Sequence, residues 1–565
     1  MKKRNTLFYG ILFGILMLFL FSFMAQEHLN LFETKELTGY FGKPQKPKFR
    51  WEWYKNGYLQ KSLEKYIASN YGFREPVIRL YLQYCWDFYN KEYVSFIHPG
   101  KDNWLYYSHN IEDYYGTEMY HWYPNAEAAR QGYEQEVRLL NKVRGILAEY
   151  DVSLLTFIAP TKSIVYPEYL PPREHDTTTL RAETYFTQRF KETGMPCFAM
   201  NDYFLKMKDT CSFYLFQPTG DHWNFSCVYA TDSLLRFMEQ QRNIRLPRIE
   251  FGNNWTDSCS IGDDRNRDLE GQLNLIRPIK FNPKYNYRER DYWVTCDSTT
   301  VKPAALFIGN SFLLWTMAYL PPQEVFSDFQ FWYYNRIVHQ DVDKIVDSVA
   351  HLNRLDYLLD PDYIVWFSSS SQMYRATEGF AEDAIIQLCI GEERFQQRQN
   401  QLVDSLHLEP GIVETMMRKD PETYFPEIAG EGIPSARNPK LLEESYWKKR
   451  EIRRQIKRDP SWILAVTSQM ALEDITLQQA IDAETERVLQ GLPSLRDKQV
   501  DAAEYREILI RQKEREIRYY KEWFDAVKAD AEQKGITVDE AVRAHATYTV
   551  DQNILNGTVK LPKNP

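Results

Sequence analysis

Two short stretches hold the residue types that acyl transfer needs. Gly309-Asn310-Ser311-Phe312 follows the apolar run Ala304-Ala305-Leu306-Phe307-Ile308 and opens an apolar segment that continues to Leu320. A buried strand that turns directly into a helix exposes a serine hydroxyl at the turn, and the helix N-terminus offers backbone N–H groups to an oxyanion. Gly309 permits close backbone approach there. The second stretch, Thr219-Gly220-Asp221-His222-Trp223-Asn224, places an imidazole beside a carboxylate in a glycine-containing loop. A serine nucleophile requires such a base and such an orienting group. Both stretches also have ordinary structural uses, since Asn310 or Ser311 is a normal helix N-cap and Gly-Asp-His loops are common. The remaining histidines sit in weaker surroundings: His175 abuts Asp176 in a polar loop, and His339 and His351 lie in helical or turn stretches.

The elements around these residues alternate in type. A helix is predicted over residues 126–150, followed by the apolar run 152–159 that ends at Pro160; Tyr363-Ile364-Val365-Trp366-Phe367 repeats the pattern and empties into four serines, 368–371. Helix followed by buried strand is α/β grammar, and parallel strands whose carboxyl ends meet polar loops place ligands at that edge. The loop after the next strand carries Tyr333, Tyr334 and Asn335; these are cleft candidates, with Asn335 and Asn310 able to donate toward an oxyanion and the tyrosines able to stack on sugar rings or pack a helix start. Residues 49–90 read as a helical lead-in, with Leu59, Leu63, Tyr66 and Ile67 at helical spacing, and Trp104-Leu105-Tyr106-Tyr107 as a short strand.

The composition fits a folded chain of several units: 565 residues, 44% hydrophobic, 15% aromatic, 26% charged, with only 24 Gly and 7 Cys. These values exclude disordered, collagenous and disulfide-scaffold classes. A net charge of −9 argues against a general nucleic-acid binder.

Met1-Lys2-Lys3-Arg4 precedes an apolar run over residues 7–25, about 28 Å long as a helix and so close to a bilayer core. The basic residues place the N-terminus on the cytoplasmic side and the rest across the membrane. The run exceeds the usual h-region of a cleaved signal peptide, no small-x-small site precedes Gln26, and no cysteine follows it for lipidation. The cysteines form no C-x-x-C pair, so a zinc site is not expected; Cys197, Cys211, Cys227, Cys259 and Cys296 are disulfide candidates in an oxidising compartment. Beyond about residue 380 the chain becomes charged and helical, with Ile510, Ile517, Tyr520 and Phe524 at helical offsets. The basic run Lys448-Lys449-Arg450, Arg453-Arg454 and Lys457-Arg458 reads as a solvated helix face, or else as a contact for acidic glycan or anionic headgroups.

Several separated pieces together resemble the AlgX/AlgJ group of alginate O-acetyltransferase proteins. They are Tyr71-Gly72-Phe73-Arg74, Gly100-Lys101-Asp102-Asn103-Trp104-Leu105-Tyr106, Ala159-Pro160-Thr161-Lys162, Tyr166-Pro167-Glu168-Tyr169-Leu170-Pro171, Asp221-His222-Trp223 and Gly309-Asn310-Ser311-Phe312, spread over about residues 60–375. The resemblance implies an α/β, SGNH-hydrolase-like three-layer domain with a mostly parallel sheet, permuted so that Asp-x-His-Trp precedes the serine. It assigns Ser311 as the acetyl-accepting nucleophile and His222 as the general base. That family places its aspartate two positions before the histidine, where this chain has Gly220; Asp221 is the available substitute. Adjacent side chains in a loop often point apart, so another carboxylate remains open for the role. Gly-Asn-Ser also stands here in place of Gly-Asp-Ser.

The resulting expectation is a membrane anchor over residues 1–26, a helical lead-in over 27–95, an SGNH-hydrolase-like domain over 96–380 and a helical C-terminal module over 381–565. Its function would be acetyl transfer to hydroxyls of an exported cell-envelope polysaccharide through a serine acyl-enzyme, from the periplasmic side of the inner membrane. The chemistry needs no metal or diffusible cofactor. An envelope lacks a ready pool of acetyl-CoA, and the resemblance implies a membrane-bound O-acyltransferase as acetyl donor. A glycan acetyl-esterase using the same residues, and a non-catalytic glycan-binding scaffold, are the competing expectations.

Overall fold

Three mostly apolar runs form the centre of the sheet because strands covered on both faces need no polar side. The computed structural model describes residues 2–39, 44–89, 91, 94–172, 180–257, 267–280, 288–320, 322–341, 344–375, 377–473, 475–498, 500–519 and 521–555. His175, Asp176, Cys259 and Tyr520, singled out from the sequence, lie outside them. The strands of the main sheet are β1 (Ser153–Ala159), β2 (Cys197–Ala199), β3 (Ala304–Gly309), β4 (Asp328–Tyr333), β5 (Ile337–Asp341), β6 (Lys344–Ser348) and β7 (Tyr363–Ser369). Their spatial order is β6-β5-β4-β3-β7-β1-β2; β4, β3, β7, β1 and β2 run parallel, and β5 and β6 are antiparallel additions at one edge.

Alternation along the strands divides the core into two layers. Leu154, Ile158, Leu306, Ile308, Ile364 and Trp366 point to one side, where α2 (Ala126–Glu149) packs with the helices Ala182–Thr193 and Phe380–Cys389. Leu155, Phe157, Ala305, Phe307, Val365 and Phe367 point to the other, under α3 (Ser226–Arg242) and α4 (Ser311–Tyr319). This is the three-layer α/β architecture expected. The N-terminal helix α1 (Lys2–Leu29) holds an apolar span over Phe8–Leu29, with a mean hydropathy of 2.3, long and apolar enough to cross a membrane.

Two expectations need correction. The boundary placed at residue 380 falls inside a core: Phe380, Phe395, Val413, Met417, Phe425 and Leu441 share one cluster with Ile364 and Trp366 of the sheet. Only the later helices build cores of their own, around Trp462 and Ile481 and around Ile510, Ile517, Val527 and Val542. Much of the basic run is not a solvated face, although Lys448 stays exposed beside Glu444. Arg453 meets Asp356 (2.8 Å), Arg454 and Arg458 meet Asp362 (2.8 and 2.6 Å), Lys457 meets Asp360 (3.2 Å), and Arg450 donates to the Leu359 carbonyl, so the run fastens its helix to the end of the sheet where β7 begins. Among the described residues Cys197, Cys211, Cys227 and Cys296 are free thiols.

Candidate active site

Ser311 is the first residue of α4, directly after β3. The strand can end so close to β7 only because residue 309 is glycine: a Cβ there would lie 2.6 Å from the Phe367 carbonyl oxygen. Asn310 is the N-cap, its Oδ1 accepting the Phe312 N–H at 3.2 Å while its Nδ2 donates to Ser369 Oγ at 3.0 Å. Its oxygen thus caps α4, and one of its two N–H groups braces β3 against β7. The Ser311 N–H, at the first helical position, has no intrahelical acceptor.

The loop carrying His222 is held from below by the motif residues that seemed scattered in the sequence. Lys162 is buried, and its Nζ donates to the carbonyls of Pro218 (3.3 Å), Gln217 (3.5 Å) and Gly220. The same ammonium lies over the rings of Tyr106 (4.9 Å) and Trp104 (5.8 Å), and burial pushes its pKa down to about 8. The Leu105 N–H donates to the Pro218 carbonyl at 2.8 Å, Trp104 stacks on Tyr169 at 4.3 Å, and Tyr106 donates to the Tyr166 carbonyl at 2.6 Å. Trp223, itself buried, donates from Nε1 to the Phe312 carbonyl at 3.0 Å and so ties the loop to α4.

These supports bring His222 Nε2 to 2.7 Å from Ser311 Oγ. The imidazole also stacks on Trp315, with ring centres 5.2 Å apart. The carboxylate behind it is Asp268, whose Oδ2 lies 2.7 Å from His222 Nδ1. Asp268 opens the short helix Asp268–Gln272, and its Oδ1 accepts the Asp221 N–H at 2.8 Å. The Glu270 N–H, donating to the Thr219 carbonyl at 3.1 Å, fixes that helix against the loop. Asp221 does not occupy the position expected of it: its side chain turns away and accepts from Asn110 Nδ2. Successive side chains of an extended loop diverge, and here the backbone of residue 221, not its carboxylate, supports the histidine's partner.

Electrostatics follow the geometry. Burial acts to lower the His222 pKa, but the charge and hydrogen bond of Asp268, with a smaller contribution from Asp221, raise it above the ordinary 6.5. Burial likewise acts to raise Asp268, yet His222, the Asp221 N–H and Lys162 hold it below the ordinary carboxylate value. With the proton on Nδ1 shared with Asp268, Nε2 is an acceptor for the serine hydroxyl, an arrangement able to generate a serine nucleophile.

The loop after β4 closes the other side. Tyr334 and Asn335 both adopt left-handed backbone (φ 49° and 52°), the Tyr334 N–H donates to the Gly309 carbonyl at 2.8 Å, and the Tyr334 hydroxyl lies beside the Ser311 side chain. Burial keeps that phenol protonated by pushing its pKa well up. Two consecutive left-handed non-glycine residues at a cleft mark a backbone held by its surroundings. Asn335 donates to the Glu378 carbonyl (3.5 Å), and Arg375 lies over the Tyr334 ring at 5.7 Å. Asp268 was missed from the sequence because nothing there distinguishes it from the other 77 acidic residues.

The sheet, the two helical layers and a serine at the carboxyl edge define a three-layer α/β domain with a serine–histidine–aspartate site. Residues 97–256 match the family model described as "SGNH hydrolase-like domain, acetyltransferase AlgX", a span that takes in the His222 loop and ends before Asp268 and Ser311. No curated protein matches the chain. Among solved structures it is similar to the O-acetyltransferase domain of Pseudomonas putida AlgJ (15% identity, 49% of this chain and 92% of that one, TM-score 0.33). It is also similar to Pseudomonas aeruginosa AlgX (16%, 52% and 68%, TM-score 0.32) and Bacillus cereus PatB1 (11%, 44% and 92%, TM-score 0.28).

Proposed function

We propose that the protein is a serine-dependent O-acetyltransferase that moves acetyl groups onto hydroxyls of an exported cell-envelope polysaccharide. The observation that carries this proposal is the continuous relay from Asp268 through His222 to Ser311, with both links at 2.7 Å, at the N-terminus of α4. Ser311 Oγ attacks the acetyl carbonyl of the donor while its proton passes to His222 Nε2, and Asp268 stabilises the imidazolium. The Ser311 N–H and the Tyr334 hydroxyl hold the tetrahedral oxyanion. On collapse the bond to the donor breaks and the leaving group takes the proton from His222. A sugar hydroxyl then attacks acetyl-Ser311, gives its proton to His222, and leaves as the acetyl ester while the proton returns to Ser311.

Helix α1 anchors the chain in the inner membrane, with residues 2–4 on the cytoplasmic side and the domain in the periplasm. A membrane-bound O-acyltransferase supplies the acetyl group there. The test is the acetyl content of the polysaccharide made by a host expressing the wild type or Ser311→Ala at equal levels. Loss of O-acetyl esters with Ser311→Ala is expected; unchanged acetylation would overturn the proposal. A purified protein that releases all its acetyl groups to water in the presence of glycan would make it an esterase instead.

A further inference from the structure

The segment between α1 and the domain exposes apolar side chains in an ordered pattern. The helix Arg74–Tyr89 presents Val77, Leu80, Tyr81, Tyr84 and Phe88 outward, at offsets of 3, 1, 3 and 4 that place them on one face; Leu80 is 64% and Phe88 72% exposed. Its opposite face is docked. Gln83 is buried and its Oε1 accepts the Ile276 and Arg277 N–H groups (3.0 and 2.8 Å), and Trp86 packs on the cluster that contains Leu269 and Leu273. The outward direction of the aromatic face is therefore fixed by the folded body. The preceding helix Tyr58–Ser69 buries none of its residues and exposes Tyr58, Leu63 and Ile67. A helix with an apolar stripe and no covering element needs an apolar or interfacial surrounding.

This face is continuous with the end of α1. Phe23 of α1 meets Tyr71 (5.9 Å) and Phe73 (6.1 Å), which lead into the Arg74–Tyr89 helix, and Gly72 lies so close that a Cβ would meet the Phe23 carbonyl oxygen at 2.2 Å. Just past it, the Gln26 side chain bonds the Phe32 carbonyl (2.6 Å) and N–H (3.0 Å), which turns the chain back beside the helix. Residues 44–89 carry eight Lys or Arg against four Asp or Glu, a basic surplus in a chain of net charge −9. Some of these cations lie over aromatic rings, as Arg50 over the half-buried Trp53 at 4.6 Å and Lys55 over the exposed Trp51 at 5.7 Å. Mixed Trp, Tyr and basic side chains are the composition that settles at lipid headgroups.

We propose that the helices Tyr58–Ser69 and Arg74–Tyr89 form a membrane-interface platform, their aromatic face lying in the headgroup region of the anionic bilayer that α1 enters. The proposal rests on the anchoring role of α1 given above. Because the platform helix also docks beside the helix that begins at Asp268, it holds the active site at a fixed height over the membrane.

The test uses the full chain in nanodiscs of phosphatidylethanolamine and phosphatidylglycerol, with a genetically encoded fluorescent side chain at Leu16, Tyr84, Phe88 or Tyr548, each variant checked for folding by circular dichroism. Doxyl-labelled lipid should quench the probes at 16, 84 and 88, with those at 84 and 88 at shallower depth, while aqueous acrylamide quenches only the probe at 548. Quenching at 84 and 88 by acrylamide as at 548, with 16 still in lipid, would overturn the platform and leave the anchor standing. Shielding of 84 and 88 from both quenchers would assign the face to a second copy of the chain and likewise overturn it. A Leu16 probe outside lipid would remove the anchor and the platform together.

Discussion

Asp268 Oδ2 lies 2.7 Å from Nδ1 of His222, a residue 46 positions earlier in the chain, and the other ring nitrogen of that histidine lies 2.7 Å from Ser311 Oγ. The three groups come from a loop, a five-residue helix and the first turn of α4, and none is adjacent to another in sequence. The Asp221 N–H, bonded to the second oxygen of Asp268, makes the histidine loop and its carboxylate a single unit.

Asp268→Asn should therefore disable turnover far more than Asp221→Asn. An amide at 268 favours the wrong imidazole tautomer, and a loss of about 10³–10⁴-fold in kcat is expected. Asp221→Asn touches no reacting group and should cost less than about tenfold, roughly 1.4 kcal/mol of barrier. Equal losses, or a greater loss at 221, measured with an acetyl ester would contradict the assignment.

The pH dependence has a defined sign. His222 accepts a proton only when neutral, and Asp268 holds its pKa above 6.5, so the rate should rise with pH through a midpoint above that value. In Asp268→Asn the raising charge is gone and burial remains, so the midpoint should move to lower pH. A pH profile of kcat/KM for both proteins checks this; a midpoint that stays or moves upward would be inconsistent.

Lys162→Met tests the support under the loop. It removes the donor shared by the carbonyls of Gln217, Pro218 and Gly220; the first two keep the Gly220 and Leu105 N–H groups, and the Gly220 carbonyl loses its donor at a cost of about 1–3 kcal/mol. Both Tm and kcat should fall. Unchanged thermal stability with unchanged activity would show that the loop does not depend on the ammonium.

A buried acid pair, Asp113 and Glu118, should contribute a pH dependence to stability. Burial raises Asp113 to about 7 and Glu118 to about 8, from ordinary values of 3.8 and 4.5. The folded state keeps protons that the unfolded state has released, so stability is full below the ordinary values and is lost as pH rises toward 7–8. Melting curves at pH 5, 6.5 and 8 should show Tm falling across the series, and Glu118→Gln should flatten the fall. A wild-type Tm that rises toward pH 8 would refute this.

The central strands were legible because β1, β3 and β7 are predominantly apolar runs that end in polar turns. The short strand β2 and the antiparallel pair β5 and β6 were not, since edge strands carry no such signal. The Gly309-to-Phe312 turn and the His222 loop stood out by residue type, while the identity of the orienting carboxylate depended on tertiary packing. Lys448 to Arg458 illustrates the same limit: the pattern shows charge on a helix, but only the fold shows that Asp356, Asp360 and Asp362 lie opposite it. The composition change near residue 380 marked where the charged helices begin, not where the core ends, because Phe395, Val413 and Met417 are few among many polar neighbours.

The most direct measurement is intact-protein mass spectrometry of the full chain incubated with an activated acetyl ester, wild type beside Ser311→Ala. One acetyl group on the wild type and none on the variant is the expected result. An equal adduct on Ser311→Ala, or a folded wild-type protein that neither takes up acetyl nor turns over the ester, would contradict an acyl-enzyme at Ser311.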